Sequence, residues 1–172
     1  PPNRGVVRSC QRAPVGTATS LPPSDGERSK VQSTTEATGS APVQYPSLLL
    51  AAWRGGEAEP LLDAFGRNVE DATSRGEGRG VGGVGYATAV LYNGLGRYDA
   101  ALASAQSACE YDDLGVFGFS LVELVEAGAR SGAHEEAAAA LAQLEERTSA
   151  VRTDWALGVQ AWSRALLSDG EA

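Results

Sequence analysis

This sequence predicts an all-α fold, a row of antiparallel helical hairpins behind a disordered N-terminal arm. Three observations carry that prediction. From Tyr45 onward, apolar residues recur at spacings of three and four, the period of a helix face. No segment sustains the period-two alternation of a strand. Glycine turns at positions 55, 96, 132 and 170 break the helical pattern at intervals of 41, 36 and 38 residues. About seven helices and no sheet are expected.

Residues 1–43 hold most of the prolines, many Ser, Thr and Arg, and almost no periodic apolar positions. Such a segment cannot bury enough surface to offset its ordering entropy. It is expected to be a disordered or irregular arm, with at most a stray helical turn at Val31 to Ala37. The repeat domain is expected over 44–172. Its first helix runs from Pro46, which suits a first turn, to Arg54 and stops at Gly55-Gly56. The second starts at Glu57, with Pro60 where a missing N–H costs little. It presents Leu61, Leu62, Phe65 and Val69 on one face and ends by Arg75-Gly76.

The third helix, about Arg79 to Asn93, opens with Gly80, Gly82, Gly83 and Gly85. Each glycine costs roughly 1 kcal/mol against alanine in a helix interior. Either the helix starts late or the bare backbone serves close packing. After the Gly94-Leu95-Gly96 turn, the fourth helix runs from Tyr98 to about Tyr111. The fifth runs from Val116 to about Arg130 and carries Phe117, Leu121, Leu124 and Val125. The sixth runs from His134 to about Ser149; Glu135 and Glu136 suit the positive end of its dipole. Thr153 or Asp154 caps the seventh, Trp155 to Leu167.

The segment around Leu91-Tyr-Asn-Gly-Leu-Gly-Arg-Tyr98 specifies how these helices pair. Ala89, Ala101, Ala105 and Ala108 are small where two helices must approach closely; Tyr92 and Tyr98 are large where a gap must be filled. That is the signature of a tetratricopeptide-type hairpin, and such hairpins stack into an α-solenoid because none can bury its inner face alone. The seventh helix is expected to lack its partner. Ser168-Asp-Gly-Glu-Ala172 reads as a hairpin turn with the second helix cut away, so the domain is expected to be incomplete at its C-terminus. With no methionine in the sequence, a fragment of a longer chain is expected.

Residues 45–172 carry nine basic and nineteen acidic side chains, a net of −10. Such a surface repels phosphate, which argues against direct contact with DNA or an anionic membrane. A basic partner surface or simple solubility fits better. No apolar run approaches the ~20 residues that span a bilayer, and no signal-peptide pattern opens the chain. A cytoplasmic protein is expected. Of the two cysteines, Cys10 lies in the arm and Cys109 on an apolar stripe with Leu102, Ala105 and Ala108, so neither a disulfide framework nor a metal site is expected.

Candidate chemistry is sparse. Gly78-Arg-Gly80-Val-Gly-Gly83 matches the dinucleotide-binding glycine pattern in letters only, because a helix rather than a strand precedes it and no G-K-[ST] follows. His134, the only histidine, has no nucleophile at a usable spacing and reads as a helix-start residue. Glu123 and Glu126 sit three apart; an exposed helix with a Glu126–Arg130 pair explains them without acid–base work. Glu110-Tyr-Asp-Asp113 reads as a solvated corner. Core packing is the plain expectation for Trp53, Trp155 and Trp162, with the alternative that one of them lines a ligand groove or the open seam. In a tetratricopeptide stack the first helix of each hairpin lines the concave surface. Here that surface would present Tyr86, Val90 and Asn93 from the third helix, Glu123, Glu126 and Arg130 from the fifth, and Gln160 and Arg164 from the seventh. Such a mixed, moderately polar groove suits a protein or small-molecule effector, not catalysis.

From Glu36 onward the chain also resembles the helical-repeat region of large LuxR-type, MalT-like bacterial transcriptional regulators. The resemblance rests on Glu36-Ala-Thr-Gly39, Leu50-Ala-Ala-Trp-Arg-Gly55, Asp71-Ala-Thr-Ser-Arg-Gly-Glu-Gly-Arg79, Ala89-Val-Leu-Tyr-Asn-Gly-Leu-Gly-Arg-Tyr98, Ala108-Cys-Glu110, Leu121-Val-Glu-Leu-Val-Glu-Ala127, Thr153-Asp-Trp-Ala-Leu-Gly158 and Ser163-Arg-Ala-Leu-Leu-Ser-Asp-Gly-Glu-Ala172. Residues 1 to about 33 depart from it, as a frame error or truncated gene would produce. The resemblance implies a larger parent with an N-terminal ATPase, this repeat segment, and a C-terminal helix-turn-helix. No cofactor is then expected in this chain. ATP would belong to the missing ATPase, DNA contact to the missing helix-turn-helix, and any homo-oligomer to the full-length parent. The alternative is a stand-alone interaction module or a non-functional gene fragment.

Overall fold

A computed structural model describes residues 45–55, 58–111 and 115–168, all within one contact-defined unit, Gln44–Ala172. The expected arm at 1–43 with its stray turn and Cys10, the Asp112-Asp113 corner and the closing Asp169-Gly170 turn lie outside the described residues. Among the described residues there are seven helices and no strand: α1 Tyr45–Arg54, α2 Ala58–Ser74, α3 Gly78–Gly94, α4 Tyr98–Cys109, α5 Phe117–Ser131, α6 His134–Val151 and α7 Asp154–Leu167. No described helix is long and apolar enough to cross a membrane.

Local chemistry explains the ends. Pro46 and Pro60 occupy first turns, where the missing N–H has no intrahelical acceptor to lose. α5 stops at Gly132, whose φ of +86° lies in the left-handed region that glycine enters without a Cβ penalty. α6 ends on Arg152 in the same region, at φ +52°. The chain then re-enters a helix at Thr153, whose hydroxyl oxygen accepts from the Ala156 N–H at 3.2 Å.

Each helix packs against the next, and the odd-numbered helices also touch in succession: α1 with α3, α3 with α5, α5 with α7. The even-numbered helices do not touch one another. Two apolar clusters hold the array. Leu48, Ala52, Phe65, Val84, Ala87, Val90 and Leu91 join α1, α2 and α3. Ala89, Ala105, Phe117, Leu121, Leu124, Val125, Ala140 and Leu144 join α3, α4, α5 and α6.

The glycine-rich start of α3 is helical throughout, so the late-start alternative fails and the close-packing one holds. A Cβ on Gly85 would sit 3.1 Å from Ala108 Cβ and 3.3 Å from its Cα; one on Gly78 would sit 2.9 Å from the Tyr111 ring. The pattern that mimics a phosphate loop is therefore a contact surface. Ala101, Ala105 and Ala108 of α4 are buried, as their spacing predicts. Cys109 packs half-buried on the second cluster, and burial pushes its thiol up to about 11, far from a reactive thiolate. The core expectation for tryptophan fails: Trp53, Trp155 and Trp162 are 60%, 60% and 52% exposed.

Close approach predicts a sharp contrast between two glycines. A Cβ on Gly128 would meet Ala137 Cβ at 2.8 Å and the Ala133 carbonyl oxygen at 3.0 Å, neither of which can swing aside. Gly128→Ala should cost about 1–3 kcal/mol. Gly66, mid-helix with nothing within 4 Å of its Cβ position, should gain about 0.5–1 kcal/mol as alanine. Urea unfolding of the two variants checks this; equal stabilities would contradict the packing.

Candidate binding groove

The face shared by the odd-numbered helices carries a row of aromatic rings. Tyr86 of α3 lies 6.0 Å from Phe119 of α5, centroid to centroid, and Phe119 lies 5.4 Å from Trp155 of α7. Offset, tilted pairs at these distances are attractive beyond their area. Tyr86 is half-buried, whereas Phe119 stays 41% exposed and Trp155 60% exposed. The period of the helix puts a polar pair beside this row. Asn93 is seven residues after Tyr86 and Glu123 four after Phe119, each about one or two turns along the same face. Asn93 Nδ2 donates to Glu123 Oε2 at 2.9 Å and to the Glu123 carbonyl oxygen at 3.1 Å, tying α3 to α5.

The electrostatics of that corner are unusual for so acidic a chain. Burial raises Glu123 above the usual carboxylate range; the Asn93 bond opposes this, and Glu126 adds to it. Tyr86 is pushed up to about 12, by burial first and by the Glu123 charge second. Asn93 Oδ1 is buried and receives no hydrogen bond. No described cation reaches Glu123. Arg130, the nearest on its own helix, donates to Glu126 Oε1 at 3.0 Å and lies 5.5 Å from the Tyr98 ring centroid, so it is turned toward α4.

Of the eight residues expected in the groove, Tyr86, Asn93 and Glu123 come together here, while Glu126 and Arg130 form the expected pair further along α5. Val90 is a correction. It is buried against Leu48, Ala52 and Phe65 under α1 and α2. Its offset of about 40° from Tyr86 does not set it apart; the packing of α1 and α2 over that side of α3 does. Gln160 and Arg164 are also corrected. Gln160 is buried, with Thr148 Oγ1 of α6 3.2 Å from its Oε1, and Arg164 donates to Glu145 of α6, holding that carboxyl below its usual range. Both lie roughly opposite Trp155 around α7, five and nine residues on. Trp162, seven on, shares the Trp155 side. The missed member is Phe119. Its place four before Glu123 and seven before Glu126 was the available signal. His134 is exposed at the start of α6.

A concavity of about 580 Å³ opens between α2 and α4, lined by Phe65 and Val84 among others. Two of its hydroxyls turn back onto their own helices, Thr88 donating to the Val84 carbonyl and Ser104 to the Ala100 carbonyl, both at 2.8 Å. Glu70 and Ser107 also line it. Among the described residues, no group of three His, Cys, Asp or Glu side chains could hold a metal ion. Comparison with known proteins finds no matching family model, no matching curated protein and no matching solved structure.

The raised Glu123 fixes the sign of a pH effect. Between the ordinary carboxylate pKa and the higher folded value, the folded chain binds more protons than the unfolded one, so this group's contribution falls as pH rises through that window. Glu123→Gln, which can still accept from Asn93, should melt higher than the parent at pH 7. The gap should close below pH 4, where both side chains are neutral. A melting difference independent of pH would contradict the assignment.

Proposed function

We propose that residues 45–168 form a curved α-solenoid of tetratricopeptide-type hairpins that binds a partner along its odd-helix face. Contact within the odd layer and separation within the even layer support the curvature, since a stack bends toward its closer-packed layer. The binding reading rests on one observation: Phe119 and Trp155 form a continuous aromatic row with Tyr86 yet remain open to solvent. Large apolar groups clustered in the open mark interaction surfaces.

The setting is supplied by the LuxR-type resemblance. In such a regulator, a partner or effector that binds one conformation of the repeat segment better than another would shift the parent between states and so couple to DNA binding. The acidic surface of this segment would leave DNA contact to a helix-turn-helix elsewhere in the parent, and ATP to its ATPase. A cytoplasmic location and a binding rather than enzymatic role go with that reading. No nucleophile, base and oxyanion donor converge among the described residues, and the one polar pair of the groove, Asn93 and Glu123, is engaged in bridging two helices.

Two measurements test it. A photo-crosslinking benzoylphenylalanine at Trp155, in cells carrying the natural gene, should give a partner adduct that the same group at exposed Ala139 of α6 does not; equal labelling or none would overturn groove binding. A helix-turn-helix reading frame within a few hundred bases downstream of the coding DNA is expected for the regulator. A stop codon directly after Ala172 with a start before Pro1 would instead leave a stand-alone module.

A further inference from the structure

Resting on the groove reading above, we propose that the Asn93–Glu123 corner and the aromatic row beside it form a receptor for the guanidinium group of an arginine on a partner polypeptide. The corner offers an open acceptor. Glu123 Oε2 takes one bond from Asn93, and no described residue donates to Oε1. A guanidinium is flat and holds several N–H groups in one plane, so it can bond that oxygen and lie on a neighbouring ring at once, which an ammonium cannot do.

The surroundings select the same ligand. Phe119, one turn from Glu123 on the same face, exposes a ring on which a planar cation stacks, with Tyr86 and Trp155 on either side. The arginines on the two helices that carry Glu123 and Trp155 are engaged elsewhere: Arg130 of α5 with Glu126 and the Tyr98 ring, and Arg164, on the far side of α7, with Glu145. The carboxylate therefore has no internal counter-ion. The net charge of −8 over the whole chain favours approach of a basic partner.

The test uses the full chain and three probe peptides, Ac-Ser-Gly-X-Gly-Ser-amide with X arginine, citrulline or lysine. Binding is read from the NMR shifts of the Asn93 side-chain amide and the Trp155 indole N–H. The arginine peptide should shift both in a saturable way. Citrulline, the uncharged isostere, should bind at least tenfold more weakly. Glu123→Gln should lose the arginine preference while keeping its helical circular dichroism, and Phe119→Leu, at a solvent-open position, should weaken the arginine peptide without unfolding. Equal binding of the arginine and citrulline peptides, an unchanged preference in Glu123→Gln, or lysine as tight as arginine would overturn the proposal. Silence of all three peptides would overturn it too. The groove reading would still stand or fall on the Trp155 adduct, so the two failures are distinguishable.

Discussion

Everything in this fold depends on how closely the helix backbones can approach. Gly128 against Ala137 leaves no room for one further methyl group, and Gly85 against Ala108 is nearly as tight. Alanine and glycine lose no side-chain rotamer freedom on burial, so the contacts they make are entropically cheap, but each removes little apolar area from water. The larger share of burial energy then falls to a few larger groups, chiefly Phe65, Val84, Leu91, Leu121 and Val125. α3 shows the consequence most clearly. It touches α1, α2, α4 and α5, buries residues around most of its circumference, and contributes to both apolar clusters. A helix with so many neighbours cannot be amphipathic in the ordinary sense, and Gly78, Gly82 and Gly85 are where α4 and the Tyr111 ring come close.

The groove follows from that packing. Small residues bring the helices together within the core, while on the odd-helix face the side chains that remain must bridge from helix to helix. Aromatic rings do so from Tyr86 to Trp155, and the Asn93–Glu123 bonds do so once more between α3 and α5. The same close packing leaves the even helices apart, which opens the apolar cavity between α2 and α4. The odd-helix face and the α2–α4 cavity differ in chemistry: one brings together aromatic rings and the Asn93–Glu123 pair, and the other has Thr88 and Ser104 hydroxyls bonded to their own backbones.

The helices were legible in the sequence because their signals are local. Period, proline position, glycine turns and the Thr153 cap each act within one turn of chain, and each placed its element within two or three residues. The small-residue pairing of α3 and α4 was also legible, because Ala101, Ala105 and Ala108 recur on one stripe of α4 opposite the glycines of α3. Orientation about each helix axis was not. Val90 and Gln160 satisfy the same spacing rule as true groove residues, and only the positions of α1 and α6 decide that they face inward. The tryptophans were misread for a related reason. A large apolar side chain on a helical stripe marks a contact face, but it does not say whether the contact lies inside the chain or with something else.

That ambiguity narrows at Glu123. The ion pairs of Glu126 with Arg130, within one helix, and of Glu145 with Arg164, between two, lie near the surface and contribute little to stability. Glu123 is different, because its half-buried carboxylate has no cation, and burial works against its charge. Glutamine in its place would accept the same Asn93 hydrogen bond without that penalty. Stability alone therefore favours the uncharged side chain at this position. A negative charge that the fold itself does not neutralise, set beside exposed rings and an acceptor lacking a donor, has a physical rationale once its counter-ion is supplied by another molecule.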